Sequence, residues 1–140
     1  MKVKGFEEIP HAADWAMRVW AGDLASLFAE AAQGINKLAG VKVVEGVKTK
    51  RLSQTEAPDY ESLLVAFLSE LIFLIEQENL AFSGFDIHFT KAVNGEYRIT
   101  ANLEGAPIQF IGKAIKAATY HNLKISKTDR GLEAEVVLDV

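Results

Sequence analysis

Asp59-Tyr60-Glu61-Ser62-Leu63-Leu64-Val65-Ala66-Phe67-Leu68-Ser69-Glu70-Leu71-Ile72-Phe73-Leu74-Ile75 is the stretch that decides the fold. Asp59 is a good N-cap, and the helix it opens is predicted to run to about Glu78. Leu63, Leu64, Phe67, Leu68, Leu71, Ile72, Leu74 and Ile75 cover more than half of its circumference. A helix with one buried face needs a narrower apolar stripe. This one is expected to be buried on two sides, between a sheet and another helix or between two sheets. The run from Leu63 to Ile75 is interrupted by Ser69 and Glu70 and is too short to span a bilayer.

Strands flank it on both sides. Downstream, Phe85, Ile87 and Phe89 alternate, Asn94-Gly95 follows, and Tyr97, Ile99, Ala101 and Leu103 alternate again. Asn-Gly between two period-two runs marks a hairpin. Gly105-Ala106-Pro107 is expected to end it. Upstream, Asp23 caps a second helix to Ala39, with Leu24, Leu27, Phe28, Ala31, Ile35 and Leu38 at helical spacing and Gly40 as its C′ residue. Val3–Ile9 and Asp14–Ala21 read as strands, the latter with Trp15 and Trp20 on opposite faces. Val41 to Leu52 reads as one long or two short strands bent at Glu45-Gly46, and Ser53 to Pro58 as a polar loop. Lys113 to His121 and Leu123 to Lys127 read as strands, although Lys113 to Ala118 also has helical propensity. Asp129-Arg130-Gly131 is a turn, and Leu132 to Val140 closes the sheet. The expected fold is α+β: two main helices packed with mixed or antiparallel sheets in one domain, residues 1–140.

Composition narrows the function. The 140 residues are 49% hydrophobic and 24% charged, and the net charge of −4 gives no basic surface for autonomous nucleic-acid binding. There is no cysteine, which excludes disulfides, thiol catalysis and thiolate zinc sites and fits the cytoplasm. The amino terminus lacks a signal-peptide apolar core, and no membrane association is expected. Neither Walker A, G-x-G-x-x-G, G-x-S-x-G nor H-E-x-x-H occurs. Lys48, Lys50 and Arg51 form the one basic cluster, as a solvated edge strand carries, with contact to RNA or an acidic partner as the minority reading.

The residues with chemistry to offer lie near the two ends. Leu132, Ala134, Val136, Leu138 and Val140 alternate with Glu133, Glu135, Val137 and Asp139, so Asp139 is expected on the face opposite the core. The Val140 α-carboxylate adds a second negative group. If Asp14 lies close in space, these form a hard-oxygen site for a divalent cation: Ca²⁺, Mg²⁺ or Mn²⁺. Asp14 also suits a plain turn cap. His11 stands in the loop before it, suited to orienting that loop or touching a ligand. His88 reads as a solvent-facing strand residue; His121 reads as a strand-end residue suited to a structural hydrogen bond and, like His11, is a candidate for partner contact.

His11-Ala12-Ala13-Asp14, the Leu24/Leu27/Phe28 helix, Leu63 to Leu71, Ile115-Lys116-Ala117-Ala118-Thr119-Tyr120-His121 and Val136-Val137-Leu138-Asp139-Val140 together resemble the archease family over almost the whole chain. Three departures stand out. Ala12-Ala13-Asp14-Trp15-Ala16 replaces the family's Thr-Ala-Asp-aliphatic-Gly, Ser69 replaces a common Asn, and Leu38 to Gly40 lacks an acidic residue. The resemblance implies a protein that is not an enzyme but a helper of the GTP-dependent RtcB-type tRNA-splicing ligase. Such a helper promotes guanylylation of the ligase and its repeated turnover, and meets tRNA only indirectly. It implies a divalent cation, calcium or its hard relatives, on Asp14 and Asp139. It also implies an activating lysine: Lys116, with Lys113 as the neighbouring rival. The alternatives are a chaperone or adaptor for RNA-modifying enzymes such as tRNA methyltransferases and, behind it, a metal-dependent hydrolase with His11 as base.

Overall fold

A computed structural model describes residues 4–9 and 15–140. Five strands form one sheet: β1 (Gly5–Ile9), β2 (Trp15–Ala21), β9 (Gly131–Asp139) and β7 (Ala117–Thr119) in that order, with β8 (Ser126–Thr128) also on β9. The second sheet is built on the long β6 (Tyr97–Phe110), which pairs with β5 (Leu80–Lys91), β4 (Thr49–Ala57) and the short β3 (Lys42–Val43). Every pairing is antiparallel. Helices α1 (Leu24–Ala39) and α2 (Tyr60–Glu78) lie between the sheets. α1 touches β1, β2 and β9 on one side and β5 on the other, while α2 touches β4, β5 and β6 on one side and β7 on the other.

This sandwich explains the apolar circumference of α2. Leu63, Leu64, Phe67 and Leu68 are wholly enclosed, and solvent reaches a strip of its C-terminal half at Ser69, Phe73, Glu76 and Gln77. Aromatic rings tie the layers together. Phe67 lies 5.9 Å from Phe28 of α1 and 6.4 Å from Phe85 of β5. Offset and edge-on ring pairs of this kind add to the burial of area. Both helices start where their caps predict. Asp23 accepts from the Ser26 amide at 2.8 Å, and Asp59 from the Ser62 amide at 2.7 Å. Gly40 ends α1 in the left-handed region at φ 63°, and Asn79 ends α2 at φ 57°.

Several strand readings are corrected. Residues 53–57 are not loop: β4 continues through them in register with β6, from Ser53↔Ala101 to Ala57↔Tyr97. The hairpin does not close on a two-residue turn. Gly95 alone has positive φ, at 86°, and its amide bonds Ala92 O while the Ala92 amide bonds Glu96 O. That is a three-residue loop, Val93-Asn94-Gly95, with glycine in the left-handed position. Nor does Pro107 end β6. Proline removes one N–H, but its carbonyl accepts from Val44, and Ile108 resumes the ladder by donating to Asn79 O at 2.8 Å. Among residues 113–121 only Ala117–Thr119 is strand, and the next strand is Ser126–Thr128 rather than 123–127. Val41 to Leu52 resolves into two strands, β3 and the start of β4, separated at Val44–Lys48. Among the described residues no helix is long and apolar enough to cross a membrane.

Candidate metal and partner site at the joined strand ends

The start of β2, the end of β9 and the start of β7 meet at one end of the five-stranded sheet. Trp15 pairs with Leu138, and Ala117 pairs with Asp139. The Lys116 amide donates to the Asp139 carbonyl at 2.7 Å, so the backbone of Asp139 is fixed from the β7 side. Alternation along β9 holds as predicted. Ala134, Val136 and Leu138 enter the core, while Glu133, Glu135 and Asp139 take the outer face. Val137 is also buried, against the expectation of a polar face, because it pairs with the enclosed Ala16.

The three outer carboxylates have different surroundings. Glu135 accepts from Arg18 at 2.9 Å, and Glu133 accepts from Arg130 at 3.0 Å with Arg18 3.5 Å away. The Arg130 hydrogen bond, then the Thr128 hydroxyl and the charges of Arg130 and Arg18, hold the Glu133 carboxyl below the usual carboxylate range against an opposing effect of burial. The Arg130 guanidinium itself lies 3.8 Å over the Trp20 ring. Asp139 is exposed, and among the described residues its carboxylate joins no ion pair. An open, unneutralised carboxylate on a fixed strand end has the donor chemistry a hard divalent cation takes. Among the described residues it is a single ligand, with no cluster of three or more metal-binding side chains around it. Asp14 and His11, and with them the expected approach of Asp14 to Asp139, lie outside the described residues.

The remaining candidates are distributed around this end. The Lys113 ammonium sits 4.6 Å from the centre of the Trp15 ring. Lys116 is exposed and lines a groove of about 210 Å³ against α2, beside Ser69, Phe73 and Glu76. Val140 packs at the margin of the core. His121 is not brought to Asp139. β7 runs from Ala117 opposite Asp139 to Thr119 opposite Val137, and His121 lies beyond that far end, its amide 3.5 Å from the Thr119 hydroxyl. His88 is exposed beside Asp86, 3.1 Å away, as a solvent-facing strand residue should be. Lys50 and Arg51 lie on the edge strand β4, where Arg51 bonds Glu78 at 2.7 Å. The sequence reading missed a larger cleft of about 750 Å³ between Val43–Lys48, Gln33 and Asn36 of α1, the start of β5, and Glu104, Gly105 and Ala106 of β6. No local motif marks it, because it is assembled from four separate segments.

Residues 6–140 match the profile of the Archease protein family (MTH1598/TM1083). The chain belongs to the archease family. Protein archease of Methanosarcina barkeri is 35% identical over 145 residues, covering 98% of this chain and 97% of its own. The Thermococcus kodakarensis protein archease is 32% identical, covering 92% and 93%. The solution structure of protein 1598 of Methanobacterium thermoautotrophicum superposes with a TM-score of 0.76 at 26% identity, covering 97% of this chain and 99% of that one. A crystal structure from Thermotoga maritima, described as an archease and possible chaperone, shares the fold at a TM-score of 0.66 and 22% identity, with 96% of each chain covered.

Proposed function

We propose that this archease is an accessory activator of a GTP-dependent RtcB-type tRNA-splicing ligase, promoting its guanylylation and multiple turnover from the end of the sheet that carries Asp139. The observation that supports this most is the state of Asp139. Among the described residues it is the one carboxylate of the outer β9 face that joins no ion pair, and its backbone is held from the β7 side. Trp15, next to Asp14 in sequence, pairs with Leu138, next to Asp139. On this reading Asp14 and Asp139 would be joint ligands of one divalent cation, Ca²⁺, Mg²⁺ or Mn²⁺. The cation would offset the charge of the carboxylates and give the end of the sheet a hard Lewis-acid character. Lys116 stands exposed at the same end, where it would meet an anionic group on the partner. The net charge of −4 suits docking to a basic RNA enzyme in the cytoplasm better than binding tRNA directly.

A second reading, as chaperone or adaptor for RNA-modifying enzymes, draws on exposed apolar side chains: Phe73 at 52%, Phe110 at 59% and Leu52 at 63% accessibility. The Thermotoga relative's description as a possible chaperone agrees with it. The two readings separate in one experiment. Purified chain and ligase are mixed, co-elution is measured, and guanylylation is followed with and without divalent metal. Metal-dependent stimulation lost in Asp139→Ala supports the activator. Client binding that ignores both metal and the substitution supports the chaperone.

A further inference from the structure

We infer that the free edge of β4 is a self-association surface: two copies of this chain join antiparallel across their β4 strands, centred on Ser53, with Lys50 of each copy opposite Glu56 of the other. The inference is independent of the cation reading, since β4 belongs to the second sheet and Asp139 ends a strand of the first.

β4 is a long edge left open. It runs nine residues, Thr49–Ala57, without proline, and pairs with β6 from Thr49↔Gly105 to Ala57↔Tyr97 with no shift of register. Among the described residues no strand pairs with its other side, and no turn or side chain bonds its backbone. The start of β5 is treated differently. It is bulged between Phe82 and Gly84, and Asn36 and Gln33 of α1 donate to the carbonyls of Phe82 at 2.7 Å and Ser83 at 2.8 Å. Bulges and covering groups protect an edge from pairing, and β4 has neither.

The side chains of β4 are complementary to a second copy of themselves. Alternation sends Lys50, Leu52, Gln54 and Glu56 to the outer face, where all four are exposed. Antiparallel pairing sets opposed residues on the same face. The pairing that overlaps the whole strand places Thr49 against Ala57 and Ser53 on the two-fold axis. It also sets Lys50 against Glu56 twice, once on each side of the axis, as a symmetric interface requires. Lys50 has its charge to offer: among the described residues it joins no ion pair, because Glu104 opposite it on β6 meets Lys48 at 3.9 Å. Glu56 is held on the outer face by Arg98 at 2.7 Å, so Lys50 of the other copy completes a Lys–Glu–Arg row. The exposed Leu52 comes diagonal to Leu52 of the other copy and directly opposite its Gln54. A shift of register that sets Leu52 against Leu52 leaves Lys50 opposite Gln54 and Glu56 beyond the end of the partner strand. Full overlap and charge pattern therefore select the same register. Half of the opposed residue pairs exchange two bonds each, which gives about eight to ten backbone hydrogen bonds.

The test is sedimentation equilibrium of the full chain over a concentration series, alongside Lys50→Glu, Glu56→Lys, an equimolar mixture of the two, and the double variant. Thermal unfolding followed by circular dichroism checks that each is folded. The expected result is a reversible monomer–dimer equilibrium for the parent. Each single variant sets like charges opposite at both ends of the pairing and weakens the dimer about tenfold. The mixture restores it, because a heterodimer of the two variants recovers both attractive pairs; the double variant restores it within one sequence. A parent that stays monomeric throughout the series overturns the inference. A parent dimer indifferent to both substitutions overturns it as well, since the interface then lies elsewhere. Dimerisation lost in the single variants and recovered in neither the mixture nor the double variant overturns the antiparallel register.

Discussion

Replacing Phe67 by alanine probes the central architectural claim, that α2 is enclosed between two sheets. Phe67 has no exposed surface, and its ring reaches Phe28 on α1 at 5.9 Å and Phe85 on β5 at 6.4 Å. Truncation forfeits the transfer energy of the ring and leaves a cavity that neighbours on three elements cannot all fill. Such substitutions cost about 3–5 kcal/mol. Against a total of about 5–15 kcal/mol for a domain of this kind, a fifth or more of the stability is lost. With a urea slope of about 2 kcal/mol/M, the unfolding midpoint falls by roughly 2 M. Phe73→Ala is the internal control. It removes the same group from the same helix, but at 52% exposure on the solvent strip, and surface substitutions stay within about 0.5 kcal/mol. Equilibrium urea unfolding followed by circular dichroism reads both. Equal losses for the two variants, or a loss below about 1 kcal/mol for Phe67→Ala, would falsify the two-sided burial of α2.

Glu133 supplies a pH test. Its carboxyl is held below the usual range, so its stabilisation is complete above the ordinary carboxylate pKa and is lost as pH falls through the lowered folded value. Glu133→Gln should therefore be less stable than the parent at pH 7, and the gap should narrow on acidification toward about pH 3, measured by thermal unfolding; a gap that widens in acid contradicts the assignment. The two glycines of the β5–β6 pair should behave differently. A Cβ at Gly105 would come within 2.0 Å of Ala81 O, whereas one at Gly84 first meets the Glu104 Cβ at 3.3 Å. Gly105→Ala should cost about 3 kcal/mol and Gly84→Ala far less in the same urea assay.

Both helices were legible because their signals are local and redundant: Asp23 and Asp59 cap, apolar spacing persists, and Gly40 terminates. The two-sided burial of α2 also followed from its own side chains. The strands were less legible where composition hides their period. Residues 53–57 read as polar, yet Ser53 and Ala57 are buried while Gln54 and Glu56 face water, and the alternation shows only once β6 is alongside. Pro107 looked like a terminator, because a sequence does not show that Asn79 bonds both the amide and the carbonyl of Ile108. At the site, the outward position of Asp139 followed from period two. The partnering of Glu133 and Glu135, which leaves Asp139 without an ion pair among the described residues, did not, since it needs Arg18 from a strand far off in sequence. The Lys113–Trp15 contact was hidden for the same reason: it joins segments from opposite ends of the chain. Neither His11 nor Asp14 lies among the described residues, so the site was legible in sequence only as a pattern of residue types.

The most direct measurement is multiple-turnover RNA ligation by an RtcB-type ligase, with excess RNA ends, GTP and divalent metal, in the presence of this chain or its Asp139→Asn variant. The substitution keeps the size and shape of the side chain and removes its charge. The account predicts that the parent chain carries the ligase through repeated turnovers and that Asp139→Asn, equally well folded, leaves it near a single turnover. Full stimulation by Asp139→Asn, or none by the parent, contradicts it.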